Sequence, residues 1–352
     1  MADRQFPTES YIQALTRFLD IVNYNDTNFT PEERIRTLHY AYTKAAAHFA
    51  QPFQQKHIKA SPKRLQASLQ TIVAMATHCW AKASPEVIAD LTIHYTYMIV
   101  LDDSKDDPET TMKTWCEDLL AGRPQKHPWW QLVNSQLPTL LSHYGPYCAL
   151  NIVRSTTDFF QGCWIEQYNF QGFPQLSDYP LFLRRLNGLG HCVVASLFPK
   201  NQVDEKALFI EITAAISHIE NWMVFVNDLL SFYKEFDESR DQTCLVNNYA
   251  VCDESTLEEA LDKLMRETID SSRKAIVVFQ DKDPRLFDIL KSFMHGYITW
   301  HLSDPRYRLS ELQTGQTADG AKMRAYLDAG LRVGRVDPSK WAYPSVAELV
   351  KE

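Results

Sequence analysis

The stretch Ile93–Asp107, which reads IHYTYMIVLDDSKDD, changes within a few residues from an apolar helical pattern to a run of carboxylates. Ser84, Pro85 and Glu86 lie ahead of it. Ser is a preferred N-cap, Pro is favoured at the first helical position, and an acidic residue in the first turn interacts well with the helix dipole. We therefore predict a helix over residues 84–106.

One face of this predicted helix is apolar along its length and acidic at its end. Tyr95, Ile99, Asp102 and Asp106 are spaced i, i+4, i+7 and i+11, which places them on that face. Because a helix C-terminus already carries partial negative charge, carboxylates there are unfavourable unless a cation offsets them. Oxygen ligands alone favour a hard divalent ion such as Mg²⁺ or Mn²⁺.

Two other interpretations of the acidic run remain open at this point. A solvated helix end that leads into a loop at Pro108 explains it equally well, since charged runs usually lie at the surface. A calcium loop of the EF-hand type is a poorer match, because its sixth position requires Gly and is Asp107 here. The decision depends on residues elsewhere in the chain.

A second oxygen-bearing stripe lies in residues 227–235, which read NDLLSFYKE. Asn227, Ser231 and Glu235 are spaced i, i+4 and i+8 and share one helical face, which is apolar one turn earlier. An amide oxygen, a hydroxyl and a carboxylate together suit octahedral Mg²⁺. The alternative is that Asn227 and Ser231 are buried and satisfied by helix–helix hydrogen bonds. The presence of both stripes favours a metal site.

Composition favours an all-α protein. The chain has 352 residues, of which 45% are hydrophobic and 23% charged, and its 11 glycines are few for tight-turned β structure. No repeat, linker or strand-rich region interrupts the helical patterns. We predict one all-α domain over residues 1–352. Helical patterns cover 8–22, 31–49, 65–80, 84–106, 146–170, 179–197, 204–237, 255–279 and 284–302, with a loop at 56–64 and short broken helices over 108–140.

Charge, hydropathy and cysteine usage limit the partners and the location. A net charge of −8 argues against nucleic acid and anionic membranes. We see neither a signal-peptide pattern nor an apolar run of bilayer length. The seven cysteines are odd in number and lack CxxC spacing, so we predict free thiols in a reducing cytoplasm.

The two stripes together resemble the metal-binding pair of class I terpene cyclases. Asp102, Asp103 and Asp106 form DDxxD, and residues 227–235 form NDxxSxxxE. FLRRLNGLGHC at 182–192 and SDPRYR at 303–308 extend the resemblance to the fungal sesquiterpene cyclases. It implies a helical bundle around a central active-site cavity, three Mg²⁺ ions, farnesyl diphosphate as substrate, one cyclic sesquiterpene as product, and a homodimer.

The resemblance also implies roles for individual residues. Asp102 and Asp106 would bind two metal ions, with Asp103 beside them in the catalytic motif. Asn227, Ser231 and Glu235 would bind the third ion.

Further implied roles concern the diphosphate. Its donors would be Arg184, Lys234, Arg306 and Tyr307. A surface ion pair is the alternative for each Arg, and for Arg306 taken alone it is the more typical role. Arg184 with Asn187 and Gly188 matches a sensor, linker and effector at a helix break. The usual linker is Asp, so Asn187 departs from the family pattern.

Candidate cavity walls are aromatic, because aromatic faces stabilise carbocations and exclude water. Core packing is the alternative role for each candidate. No side chain stands out as the base that removes the final proton, and the diphosphate itself can serve as that base. The candidates are Tyr95, Phe159, Tyr297 and Trp300, with Thr71 and Ile99 as neighbours that set the shape.

Three competing functions remain. A prenyl chain-elongating enzyme would carry a second Asp-rich motif, where this chain has Asn227 and Ser231. A squalene-type condensing enzyme is the next relative. A non-enzymatic helical scaffold would need neither aligned oxygen stripes nor metal.

Overall fold

Helices form nearly all the regular structure in the computed structural model, which describes residues 6–102, 108–237, 242–337 and 339–346, and no strand occurs in those ranges. The fold class predicted from the sequence is therefore confirmed. The helices are α1 (Thr8–Ile21), α2 (Pro31–Phe49), α3 (Pro52–His57), α4 (Pro62–Cys79), α5 (Pro85–Asp102), α6 (Pro108–Met112), α7 (Trp115–Leu120), α8 (Pro128–Leu141), α9 (Pro146–Glu166), α10 (Tyr179–Asn187), α11 (Gly190–Ala195), α12 (Phe209–Asp237), α13 (Leu245–Cys252), α14 (Leu257–Phe279), α15 (Pro284–Ser303) and α16 (Ala318–Gly334).

Several helix starts follow the local signals in the sequence. Thr30 and Glu33 form a capping box at α2, in which the Thr30 hydroxyl accepts from the Glu33 backbone N–H. The Asp283 carboxylate accepts from two backbone N–H groups at the start of α15, directly before Pro284. These caps explain why α2 and α15 begin where the sequence predicts.

Other boundaries differ from the prediction. Helix α5 is described from Pro85 to Asp102, and residues 103–107 lie outside the described ranges. The predicted loop at 56–64 is shorter, because α3 reaches His57 and α4 already begins at Pro62. Within the region predicted as short broken helices over 108–140, Pro138 lies inside the continuous helix α8. The sequence analysis missed α13, which is short, and α16, whose pattern is interrupted by glycines.

Six helices form a ring in which each contacts the next. Helices α4 and α5 pack together, α9 packs on α11, α11 on α12, α12 on α15, and α15 on α4. The ring closes where the Thr156 hydroxyl of α9 lies 3.5 Å from His94 Nε2 of α5. Large buried side chains such as Trp80 and Trp222 fill the core between these helices.

The described residues include no helix with the length and hydropathy needed to cross a bilayer. All seven cysteines carry free thiols, as predicted, and five of them are buried. Helices α5, α9 and α12 each end near a set of polar side chains, which the next section describes.

Candidate active site

The predicted stripe on α12 lies at the C-terminal half of that helix. Asn227 and Glu235 are half-buried, and Ser231 is only 2% exposed. Ser231 Oγ has no hydrogen-bond partner among the residues that the structure describes. A buried hydroxyl without a partner is costly, so an unsatisfied Oγ in line with an amide and a carboxylate is consistent with a ligand.

Arg184 connects this stripe to the helix break between α10 and α11. Its Nη2 donates to Asn227 Oδ1 (3.0 Å), its Nε to Asp228 Oδ2 (2.6 Å) and its Nη1 to Asn187 Oδ1 (2.7 Å). Burial lowers the pKa of Arg184, but Asp228 and other nearby carboxylates raise it more, so the net shift is upward and the guanidinium stays charged. The predicted sensor and linker are therefore in direct contact.

Asn187 in turn connects Arg184 to an acidic residue that the sequence analysis missed. Its Nδ2 donates to Glu166 Oε1 at 2.5 Å, and the Thr243 hydroxyl donates to the same oxygen at 3.2 Å. Glu166 is the last residue of α9. A helical pattern that ends in a carboxylate is the signal that indicated candidate metal ligands at the ends of α5 and α12. The same signal in the sequence would have identified Glu166 as a candidate.

Glu166 also lies beside the first stripe. Asp102, Cys163 and Glu166 each offer a ligand atom within 4.8 Å of the others. Burial, and then the charge of Asp102, raise the pKa of Glu166 to about 8. Asp102 is exposed at the end of α5, and Asp103 and Asp106 lie outside the described residues. A hydrogen-bonded chain thus leads from Asn227 through Arg184 and Asn187 to a carboxyl beside Asp102.

Asp228 has a structural role within the second motif. It is 2% exposed, pairs with Arg184, and accepts from the Leu245 backbone N–H (2.8 Å) with its other oxygen. Leu245 is the first residue of α13, so Asp228 joins that helix to the Arg184 cluster. The sequence analysis did not identify this role, because it depends on a contact between two helices.

The break predicted around Gly188 is present. Helix α10 ends at Asn187, α11 begins at Gly190, and Leu189 between them adopts a left-handed conformation with φ of 54°. A non-glycine residue in this region costs about 1 kcal/mol or more. Helix α9 approaches closely here, since a Cβ built on Gly162 would lie 2.5 Å from Asn187 Cβ.

A 3₁₀ turn at Pro305–Tyr307 carries two more of the predicted residues, directly after the end of α15. Asp304 caps this turn by accepting from the Arg306 backbone N–H at 2.9 Å. The other Asp304 oxygen accepts from the Thr71 hydroxyl (2.5 Å) and from Trp300 Nε1 (3.2 Å). Burial raises the pKa of Tyr307 well above its usual value. The turn packs against α12, where Lys234 is also buried.

A cavity of about 690 Å³ opens between α4, α5 and this turn. Thr71, Ile99 and Arg306 are among its lining residues. Two further predicted wall residues belong to the aromatic cluster at the end of α15, where the Trp300 ring centroid is 5.9 Å from that of Tyr297.

None of the four aromatic wall candidates is among the described residues that line this cavity, and Tyr95 and Phe159 are buried away from it. Tyr95 stacks on Trp80 at 5.2 Å and donates its hydroxyl to Cys192 Sγ at 3.2 Å, and Phe159 lies on α9.

His301 lies inside the aromatic cluster and was also missed. Its Nε2 is 3.1 Å from Asn227 Nδ2, and its Nδ1 is 2.7 Å from the Tyr297 carbonyl oxygen. Burial lowers its pKa to about 3, so the ring is neutral at physiological pH. The structure therefore brings together amide, hydroxyl and carboxyl oxygens, the cationic Arg184 and a cluster of aromatic rings.

Comparison with known proteins identifies the family. A family model described as trichodiene synthase matches residues 5–352. The protein named trichodiene synthase from Fusarium sporotrichioides is 60% identical over 348 residues, which are 98% of this chain and 93% of that protein. That from Gibberella pulicaris is 59% identical, with 98% and 91% of the two chains covered. The chain therefore belongs to the trichodiene synthase family.

Proposed function

We propose that this chain is a magnesium-dependent sesquiterpene cyclase that converts farnesyl diphosphate to trichodiene and releases diphosphate. Membership of the trichodiene synthase family supports the substrate and the product. The structural observation that carries the proposal is the hydrogen-bonded chain Asn227–Arg184–Asn187–Glu166, which leads from the α12 stripe to a carboxyl within 4.8 Å of Asp102 at the end of the α5 stripe. In this reaction the C–O bond of the allylic diphosphate breaks, diphosphate leaves with the bonding electron pair, and the hydrocarbon cation finally loses a proton, for which the released diphosphate can serve as base.

The proposed metal ligands form two sets. Asn227, Ser231 and Glu235 are one set, and the buried Ser231 Oγ without a partner in the described residues fits a hard cation. Asp102 and Glu166 belong to the other set, with Asp106 added from the sequence alone. We propose three Mg²⁺ ions in all, which when bound stabilise negative charge on the departing diphosphate.

The proposed diphosphate donors are Arg184, Lys234, Arg306 and Tyr307. Arg184 uses three N–H groups within the site, and a guanidinium carries five. Its remaining N–H groups can donate to diphosphate oxygens while the three contacts keep the side chain in place. Arg forks match phosphate oxygens well, and the buried Tyr307 supplies a neutral donor.

Arg184 also provides a connection between the diphosphate and the helix break. The contact from Arg184 to Asn187 places the sensor one turn before Gly188 and Leu189. We propose that diphosphate binding at Arg184 is transmitted to the backbone of this break, and that its carbonyl groups then stabilise the developing cation. Asn187 can replace the usual Asp as linker, because its Oδ1 accepts from Arg184 as a carboxylate oxygen would.

The proposed walls exclude water and stabilise the cation. Tyr297 and Trp300 support this role because they pack together beside Asn227 and the turn that carries Arg306. Each close cation–aromatic contact contributes about 2 kcal/mol when water is excluded. Thr71 and Ile99 line the cavity and would set its shape. For Tyr95 and Phe159 the wall role remains a prediction from the sequence.

The direct test is incubation with farnesyl diphosphate and Mg²⁺, with hydrocarbon products identified by mass spectrometry. Trichodiene is expected, and chelation of the metal should abolish it. A different cyclic hydrocarbon would indicate another sesquiterpene cyclase. Longer prenyl diphosphates or a condensed hydrocarbon would indicate a prenyltransferase, and no product from any prenyl diphosphate would indicate a scaffold.

Glu235→Ala tests the proposed metal set within that assay. We expect turnover to fall by about 100-fold or more while Tm stays near wild type, because ligands and their supporting residues strongly affect metal affinity. Glu258→Ala, on the exposed face of α14, is the matched control and should keep wild-type turnover. Wild-type turnover in Glu235→Ala would remove this residue from the site.

The proposal also covers the domain organisation, the oligomeric state and the cellular location of the chain. We propose one catalytic domain over residues 1–352, a homodimer as expected from the family resemblance, and a cytoplasmic location. Free thiols at all seven cysteines support a reducing compartment. Light scattering after size-exclusion chromatography tests the dimer, for which a mass of one 40.7 kDa chain would be the contrary result.

A further inference from the structure

We propose that His301 is a positioning residue that sets the orientation of the Asn227 amide and so presents its Oδ1 to metal. The inference rests on the proposed metal site, because it assigns a function to a residue that holds one of the proposed ligands. His301 lies on α15 and Asn227 on α12, so the contact joins two helices of the ring.

The tautomer of His301 follows from its contact with the backbone. Its Nδ1 lies 2.7 Å from the Tyr297 carbonyl oxygen, which can only accept a hydrogen bond. Nδ1 therefore carries the proton, and in the neutral ring Nε2 presents a lone pair. That lone pair faces Asn227 Nδ2 at 3.1 Å, so the amide nitrogen donates to it.

The oxygen of the Asn227 amide accepts a hydrogen bond from a cationic side chain. Arg184 Nη2 donates to Asn227 Oδ1 at 3.0 Å. If the amide were flipped, its oxygen would face the His301 lone pair and its NH₂ group would face the guanidinium. Both contacts would then be unfavourable, so His301 and Arg184 together select a single orientation.

The consequence for metal binding is direct. Only the oxygen of an amide is a ligand for a hard cation, and Oδ1 must point along the face shared with Ser231 and Glu235. Residues that orient metal ligands by hydrogen bonds typically change metal affinity by about 10-fold to 100-fold when they are replaced. We assign this role to His301.

The surroundings of His301 keep its ring in place. Its centroid lies 4.5 Å from that of Tyr297, 4.6 Å from that of Trp300 and 4.3 Å from that of Tyr307. The ring is fully buried among these side chains. One imidazole therefore connects a proposed metal ligand with two proposed wall residues and a proposed diphosphate donor.

The test measures binding of Mg²⁺ in the presence of inorganic diphosphate by calorimetry, which requires no turnover. His301→Phe keeps a ring and loses both hydrogen bonds, and His301→Asn can keep the bond to the Tyr297 carbonyl but does not reach Asn227. Both should weaken Mg²⁺ binding by about 10-fold to 100-fold. His301→Gln can place Oε1 near the Nε2 position and should stay within about threefold of wild type.

Background variants separate this inference from the metal site itself. In Asn227→Ala, the further change His301→Phe should have no additional effect on Mg²⁺ affinity. If Asn227→Ala and Ser231→Ala weaken binding while both His301→Phe and His301→Asn bind as wild type, the positioning role is wrong and the metal site stands.

If Asn227→Ala and Ser231→Ala also bind Mg²⁺ as wild type, the metal site and this inference are both wrong. Thermal unfolding establishes that each variant folds, and His301→Asn decides the question if His301→Phe does not fold. If His301→Gln weakens Mg²⁺ binding as much as His301→Phe and His301→Asn do, the inference is also contradicted. That result would mean that an acceptor at the Nε2 position is unimportant and that His301 acts only through packing.

Discussion

At the scale of single residues, the protonation of Glu166 is the property with the clearest consequence. Burial and the charge of Asp102 raise its pKa to about 8, against about 4.3 for an unperturbed Glu. Between these pH values the folded chain without metal holds a proton that the unfolded chain releases. Its stability should therefore fall as pH rises from about 4.3 to about 8.

Metal binding at Glu166 must displace that proton, because a carboxylate binds metal in its ionised form. We expect calorimetric titration of Mg²⁺ and diphosphate at pH 7, in buffers of different ionisation enthalpy, to show a proton released by the enzyme. Glu166→Gln is the control, because protons released by diphosphate itself appear in both titrations. Equal release from the two proteins would exclude Glu166 as a ligand.

Asn187 and Glu166 form a matched donor and acceptor. The amide of Asn187 accepts from Arg184 and donates to Glu166, whereas Asp at this position would place two carboxyl groups in contact. Above about pH 8, where Glu166 is also ionised, Asn187→Asp should therefore lower the free energy of unfolding by about 1–3 kcal/mol.

The reciprocal change tests that explanation. Adding Glu166→Gln to Asn187→Asp restores one donor and one acceptor, so Tm should recover even though metal binding does not. A double variant as unstable as Asn187→Asp alone would show that the pairing has no part in the destabilisation.

At the scale of helices, local periodicity was sufficient to predict most elements but not their contacts. The stripes on α5 and α12 are visible because residues at i and i+4 share a face in any helix. The approach of α9 to the end of α10 is not visible, because it depends on Gly162 lying against Asn187 in space. The roles of Asp228 and His301 were missed for the same reason.

Gly162→Ala tests the importance of that approach. The added Cβ would lie 2.5 Å from Asn187 Cβ and 2.7 Å from its backbone nitrogen, so one helix must move. Although Ala is normally the better helix former by about 1 kcal/mol, we expect Gly162→Ala to destabilise the protein by about 1–3 kcal/mol. Turnover should fall as well, because Asn187 and Arg184 shift together.

Leu150→Ala on the same helix is the control for this variant. Leu150 is 64% exposed, and its replacement should change the free energy of unfolding by about 0.5 kcal/mol at most. Thermal unfolding and the product assay are measured on both variants. If Gly162→Ala equals Leu150→Ala in both measurements, the helix contact does not position the site.

At the scale of the whole molecule, the sequence predicts the parts of the site better than their connections. The bounds predicted for α2 agree with the structure because a capping box and a proline define its start locally. Ser231 was predicted as a ligand from spacing alone; its side chain is buried on α12, and its role as a ligand stays a prediction. His301 was not predicted, because its partner Asn227 comes from another helix, whereas Glu166 at the end of α9 carried a signal that the sequence analysis did not use.

The central claim is that the two oxygen stripes bind metal jointly around one diphosphate. The most direct measurement is a crystal structure with inorganic diphosphate and Mn²⁺, with the ions located by anomalous scattering. We predict ions on both sides of one diphosphate, bound by Asp102 and Glu166 on one side and by Asn227, Ser231 and Glu235 on the other. Diphosphate bound without ions between these two sets would contradict the account.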